Sequence, residues 1–135
     1  MEEVLKVLKS QHIEFVICGS LALYYHNLID EYNSKEIDII VDTPWEVLSK
    51  VSNDIKYSPI TQFECSGAGY FINGVFIDIY NKQLPEYDEV TLFGLEVKVK
   101  TLSELKNYYL SLNLDKLGGH ERFKSKMKTR VDLFK

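Results

Sequence analysis

Asn73-Gly74, set between the apolar runs Tyr70-Phe71-Ile72 and Val75-Phe76-Ile77, restricts the folding of this chain more tightly than any other short stretch. A two-residue turn whose twist matches its flanking strands needs positive φ at both positions, which Asn and Gly tolerate, so the pair predicts a β-hairpin within residues 67–80. On the second strand Val75, Ile77 and Ile79 share one face, while Phe76, Asp78 and Tyr80 share the other. Asp78 is then a lone acid inside an apolar strand. An unpaired carboxylate there is costly, so Asp78 titrates, pairs with a lysine such as Lys98 or Lys100, or joins a metal site.

A second strand explains why the metal site is the preferred of these. Residues Glu36-Ile37-Asp38-Ile39-Ile40-Val41-Asp42 alternate, which sends Glu36 and Asp38 to one face and Ile37, Ile39 and Val41 to the other. Two like charges on one strand face repel unless a cation lies between them. Magnesium takes oxygen ligands and is commonly held by one or two carboxylates plus substrate phosphates, so the pair points to phosphate chemistry. Asp42 continues the same face but begins the turn toward Thr43. If the Asp78 strand lies beside this one, three carboxylates converge.

Upstream, Ile13 to Ile17 reads as a short buried strand that runs into Gly19-Ser20 and a helix over Leu21-Ala22-Leu23-Tyr24-Tyr25. A strand, Gly-Ser turn and helix in this order expose backbone N–H groups to phosphate and let a ligand approach the backbone at Gly. Val4, Leu5, Val7 and Leu8 among charges predict an amphipathic helix over 2–11. Thr43-Pro44-Trp45-Glu46 forms a capping box for a helix over about 44–53, with Trp45 in the core. Residues 90–100 alternate around Gly94 and predict a hairpin at the sheet edge. Thr101 then precedes a helix with Leu102, Leu105, Tyr109 and Leu112 on one stripe, and a last helix, about 119–134, carries Phe123, Met127, Val131 and Phe134.

At 135 residues the chain is expected to form one domain spanning 1–135. Its start, Met-Glu-Glu-Val-Leu-Lys, lacks the apolar core of a signal peptide, and its apolar runs are too short to span a bilayer, so the expected setting is cytoplasmic, without a membrane. Cys18 and Cys65 are far apart, and His12, His26 and His120 are scattered, which excludes a local zinc motif and leaves the histidines structural or surface roles. The net charge of −4 conceals a polarity: residues 1–115 hold nine Lys against eighteen acids, residues 116–135 seven Lys or Arg against two. Such an acidic body disfavours a broad duplex-binding surface, while the basic end suits a triphosphate or one stretch of RNA.

Taken together, the hydrophobic-Gly19-Ser20 run, the Glu36-Ile37-Asp38-Ile39 strand and the later Ile77-Asp78-Ile79 strand resemble the nucleotidyltransferase fold of the DNA polymerase beta superfamily. The chain is most similar to its small minimal or abortive-infection type members, over about residues 13–134. The resemblance implies an α+β fold with a mixed β-sheet flanked by helices. It implies a transferase that moves a nucleoside monophosphate from an NTP, ATP or CTP foremost, onto an acceptor hydroxyl of an RNA end, a protein or a small molecule. Two Mg2+ (or Mn2+) ions would be held by Glu36, Asp38 and Asp78, with Asp78 also placed to act as a base, and Gly19 and Ser20 would meet the phosphates.

Three departures accompany the resemblance, the first being a long gap from Ser20 to Glu36. Glu36 stands where the family usually has Asp, and Tyr109 stands where related proteins often carry Lys. A triphosphate grip would therefore come from elsewhere, such as Lys106, Arg122, Lys126 or Arg130. These departures keep open a catalytically silent nucleotidyltransferase-like module that binds a protein or nucleotide, for example within a toxin-antitoxin or phage-defence pair.

Overall fold

The computed structural model describes residues 1–43, 63–66 and 69–135. The helix expected over 44–53, with Pro44, Trp45 and Glu46 of its capping box, lies outside the described residues, as does the side chain of Cys65. Within Met1–Lys100, the first of two compact units, the alternating segments become strands of one seven-stranded mixed sheet. The strands are β1 (Val16–Cys18), β2 (Glu36–Val41), β3 (Phe63–Ser66), β4 (Gly69–Ile72), β5 (Val75–Asn81), β6 (Tyr87–Leu92) and β7 (Leu95–Lys100). Their order across the sheet is β3-β4-β5-β2-β1-β7-β6. The β2–β5 and β1–β7 pairs are parallel and the other pairs antiparallel.

Two of the hairpins turn on residue pairs at positive φ, each ending in a glycine. Asn73 and Gly74, at 50° and 81°, join β4 to β5. Phe93 and Gly94, at 52° and 76°, join β6 to β7 and leave β6 at the sheet edge. Ile17, Ile37, Ile39, Ile77 and Val99 are all but inaccessible to solvent, and the registers Ile17↔Ile39, Ile37↔Ile77 and Ile17↔Val99 stack them on one face. Burial of this β-branched layer supplies the dominant stabilising term for the sheet, at about 25 cal/mol per Å2 of apolar surface.

Helix α1 (Glu2–Ser10) buries Val4, Leu5, Val7 and Leu8, the stripe that its sequence marks out, and Lys9 Nζ donates to the carbonyl of Glu96 in β7. Helix α2 (Gly19–Tyr25) follows β1 without a linker and buries Leu21, Ala22 and Leu23. At its end the imidazole Nε2 of His26 lies 2.8 Å from the carbonyl oxygen of Lys100, fastening the close of α2 to the close of β7.

The second unit, Thr101–Lys135, contains α3 (Leu102–Ser111), a 3-10 turn at Leu114–Lys116 and α4 (Glu121–Asp132). Thr101 Oγ1 accepts from the Glu104 N–H and His120 Nδ1 from the Phe123 N–H, so each helix starts on a side-chain cap. Leu105 and Tyr109 are buried, but Leu102 is exposed: it shares their stripe and stands at the first helical position, at the end of the element. Tyr109 stacks on Phe134 with ring centroids 5.6 Å apart, and Met127 and Val131 are buried on α4.

Candidate active site

The parallel pairing of β2 with β5 sets Glu36 opposite Phe76 and Asp38 opposite Asp78. Paired residues project to the same face, so Glu36, Asp38 and Asp78 stand together on the side of the sheet away from the isoleucine layer. One oxygen from each lies within 4.8 Å of the other two, and all three side chains are half-buried. Glu36 starts β2 two residues ahead of Asp38, and its carboxylate joins the set despite the extra methylene.

Cys18, at the end of β1, is paired with Asp38 from the other side. Burial and the Asp38 charge push its thiol up to about 12, offset in part by Lys100 and Lys82. Cys18 is therefore a neutral packing residue beside the acids, and neither a nucleophile nor a thiolate ligand at ordinary pH. Gly19 comes next with φ of 65°, the left-handed region that favours glycine. A Cβ built there would overlap Asp38 Oδ2 and stand 2.8 Å from its Cγ. The glycine thus lets the strand-to-helix turn pass directly over the Asp38 carboxylate. Ser20 is buried, and its Oγ accepts from the Asn33 N–H at 3.2 Å, tying the connector before β2 to the start of α2.

On the far side of the acids, the Tyr80 hydroxyl donates to Asp78 Oδ2 at 3.1 Å. Partial burial and the Asp38 and Asp78 charges raise the phenol above its ordinary value, so it remains a donor. Lys82 Nζ lies 5.7 Å from the centroid of the Tyr80 ring. Neither Tyr80 nor Cys18 is singled out by sequence reasoning, because Tyr and Cys inside alternating apolar strands read as core. The available signal was position: Tyr80 lies two residues beyond Asp78, on the same face.

Lys98, one sequence candidate for pairing with Asp78, instead bonds Glu14 at 2.7 Å. Lys106, Arg122 and Lys126 are exposed and Arg130 is half-exposed, all in the second unit. Among the described residues none of these four lies within 4.0 Å of an acidic oxygen. The second unit places Tyr109 in its own core rather than at a ligand.

Three hard oxygen donors clustered on one sheet face, open to solvent and roofed by a glycine turn, suit a divalent cation that keeps other positions for phosphate oxygens and water. Among the described residues no helix is long and apolar enough to cross a membrane.

No family model and no curated protein matches the sequence. Solved structures do match it. An antigenic nucleotidyltransferase-like protein from Paracoccidioides brasiliensis superposes with a TM-score of 0.64 at 14% identity, over 98% of this chain and 72% of its own. ANT(2")-Ia, solved in complex with adenylyl-2"-tobramycin, superposes with a TM-score of 0.57 at 11% identity, over 98% of this chain and 84% of its own. At such identities the likeness speaks for architecture alone. The chain has the nucleotidyltransferase fold, an α+β architecture built on a mixed sheet.

Proposed function

We propose that the protein is a metal-dependent nucleotidyltransferase that moves a nucleoside monophosphate from an NTP to an acceptor hydroxyl. The observation that carries this reading is the convergence of Glu36, Asp38 and Asp78, whose oxygens lie within 4.8 Å of one another on a sheet of this fold. In the reaction the acceptor oxygen bonds to the α-phosphorus. The bond from that phosphorus to the bridging oxygen breaks, pyrophosphate leaves with the electron pair, and the hydroxyl proton passes to the Asp78 carboxylate.

Glu36, Asp38 and Asp78 are the residues that would hold two Mg2+ or Mn2+ ions. Such ions supply charge neutralisation on the attacking and leaving oxygens. Gly19 and Ser20 would meet the phosphates: Gly19 lets the turn lie directly against the Asp38 carboxylate, and Ser20 anchors that turn through the Asn33 N–H. Lys106, Arg122, Lys126 and Arg130 are the candidate phosphate-binding cations, as positive groups that no acidic side chain among the described residues neutralises.

The test is incubation with each α-labelled NTP, Mg2+ or Mn2+, and a host extract supplying RNA, protein and small-molecule acceptors. Wild type should label one acceptor class only when metal is present, and Asp38→Ala should lower the rate by at least 100-fold. Full activity in Asp38→Ala removes the assignment. The second reading, a silent nucleotidyltransferase-like module, is favoured by Glu36 in place of Asp and by the buried Tyr109 in place of Lys. It predicts metal-dependent binding of an NTP with no transfer to any acceptor.

A further inference from the structure

Strand β5 places three side chains on the acid face of the sheet: Phe76, Asp78 and Tyr80. Tyr80 is the one with an unexplained arrangement. The residue is 38% exposed, unusual for a tyrosine on an inner strand flanked by β4 and β2. Its hydroxyl donates to Asp78 Oδ2 at 3.1 Å. The backbone fixes the direction of that bond, because residues i and i+2 of a strand stand on one face about 6–7 Å apart. Tyr80 is the register partner of buried Ile40, and the Lys82 ammonium sits 5.7 Å from its ring centroid. The phenol thus stands on the same strand face as the carboxylate and bonds it directly.

We infer that Tyr80 is a positioning residue for the candidate metal site: its hydroxyl holds Asp78 by Oδ2 in the orientation that lets the third carboxylate meet Glu36 and Asp38. This rests on the reading of the three acids as a metal site. A carboxylate on a single χ2 torsion rotates easily, and three mutually repelling carboxylates separate unless something restrains them. Glu36 is set by its place at the start of β2, and Asp38 is confined by Gly19 passing over it. Among the described residues, Tyr80 supplies the corresponding restraint on Asp78. Partners that orient metal ligands in this way typically change metal affinity by 10–100-fold when removed. Because Asp78 is also the proposed base, loss of the phenol should lower kcat while leaving the KM for NTP near its wild-type value.

The experiment is Mn2+ titration, read by electron paramagnetic resonance of free ion, on wild type, Tyr80→Phe, Asp78→Ala and the double variant. Tyr80→Phe should weaken Mn2+ binding by about ten-fold. The same substitution should have no further effect in the Asp78→Ala background, since its action passes through that carboxylate. A Tyr80→Phe protein that binds Mn2+ as wild type does, while Asp78→Ala binds it weakly, overturns the role of Tyr80 and leaves the metal site standing. Equal weakening by Tyr80→Phe in both backgrounds overturns it as well, showing an effect that does not pass through Asp78. If Asp78→Ala itself binds Mn2+ at full strength, the metal-site reading fails and the inference with it. Where transfer is measurable, an unchanged kcat in Tyr80→Phe likewise counts against it.

Discussion

Gly19 is where conformation and chemistry meet most tightly. Its φ of 65° penalises any side chain, and a Cβ there would overlap Asp38 Oδ2. Gly19→Ala should therefore cost about 1–3 kcal/mol of stability, by urea denaturation, and weaken Mn2+ binding as well, because the displaced group is a proposed ligand. An alanine variant with native stability and metal affinity would show that the turn does not bear on the acid. Cys18 makes a separate prediction. Its thiol, raised to about 12 in the fold from an ordinary value near 9, favours the folded state as a neutral group. That contribution is fully present below about pH 9 and is lost as pH rises toward 12. In a Cys65→Ser background, native protein at pH 8 should resist iodoacetamide and react quickly only in urea; fast native labelling contradicts the burial argument. At this scale the sequence disclosed the three acids and Gly19, since a charge in an apolar strand and a Gly before a helix stand out locally. The Tyr80 hydroxyl bond and the Cys18–Asp38 pairing were hidden, because aromatic and thiol side chains in strands look like packing material until their neighbours are known.

The elements divide by the range of the interactions that form them. Turns were legible: Asn73-Gly74 and Gly94 take positive φ where the sequence allowed it, and both hairpins follow. Helix starts were legible too, as with Thr101, whose hydroxyl caps the Glu104 N–H. Replacing Thr101 with Ala should cost about 1 kcal/mol in thermal or urea unfolding, and no loss would refute the cap. The pairing of β2 with β5 was legible only as a condition, because about thirty-four residues separate the two segments and nothing local specifies which strands become neighbours. That pairing decides the site, since it alone sets Asp38 opposite Asp78. Ile77 is fully buried beneath the same register, opposite Ile37. Ile77→Ala should cost about 2–5 kcal/mol and loosen metal binding through the sheet rather than through any direct contact, whereas a near-neutral effect would contradict the packing described. Position within an element was harder to read: Leu102 belongs to the apolar pattern of α3 but is exposed at its first turn.

For the molecule as a whole, the charge polarity noted in the sequence follows the division into units. The net negative charge belongs to Met1–Lys100, which carries the carboxylate cluster, while α4 of the second unit carries Arg122, Lys124, Lys126, Lys128 and Arg130. A cluster of three carboxylates on a folded sheet is a standing repulsion that a divalent ion relieves, so metal binding should stabilise the native state by mass action. The fold was legible because strand, Gly-Ser turn, acidic strand and hairpin occur in an order that few architectures share. The acceptor was not, because its recognition depends on surface shape, which no local pattern encodes. The central claim is that Glu36, Asp38 and Asp78 act together as a divalent-metal site, and Mn2+ binding to wild type and Asp38→Asn tests it most directly. Saturable binding by wild type, with a rise in Tm, and at least ten-fold weaker binding by Asp38→Asn at unchanged fold are the predicted results; equal Mn2+ affinity in the two proteins would contradict the account.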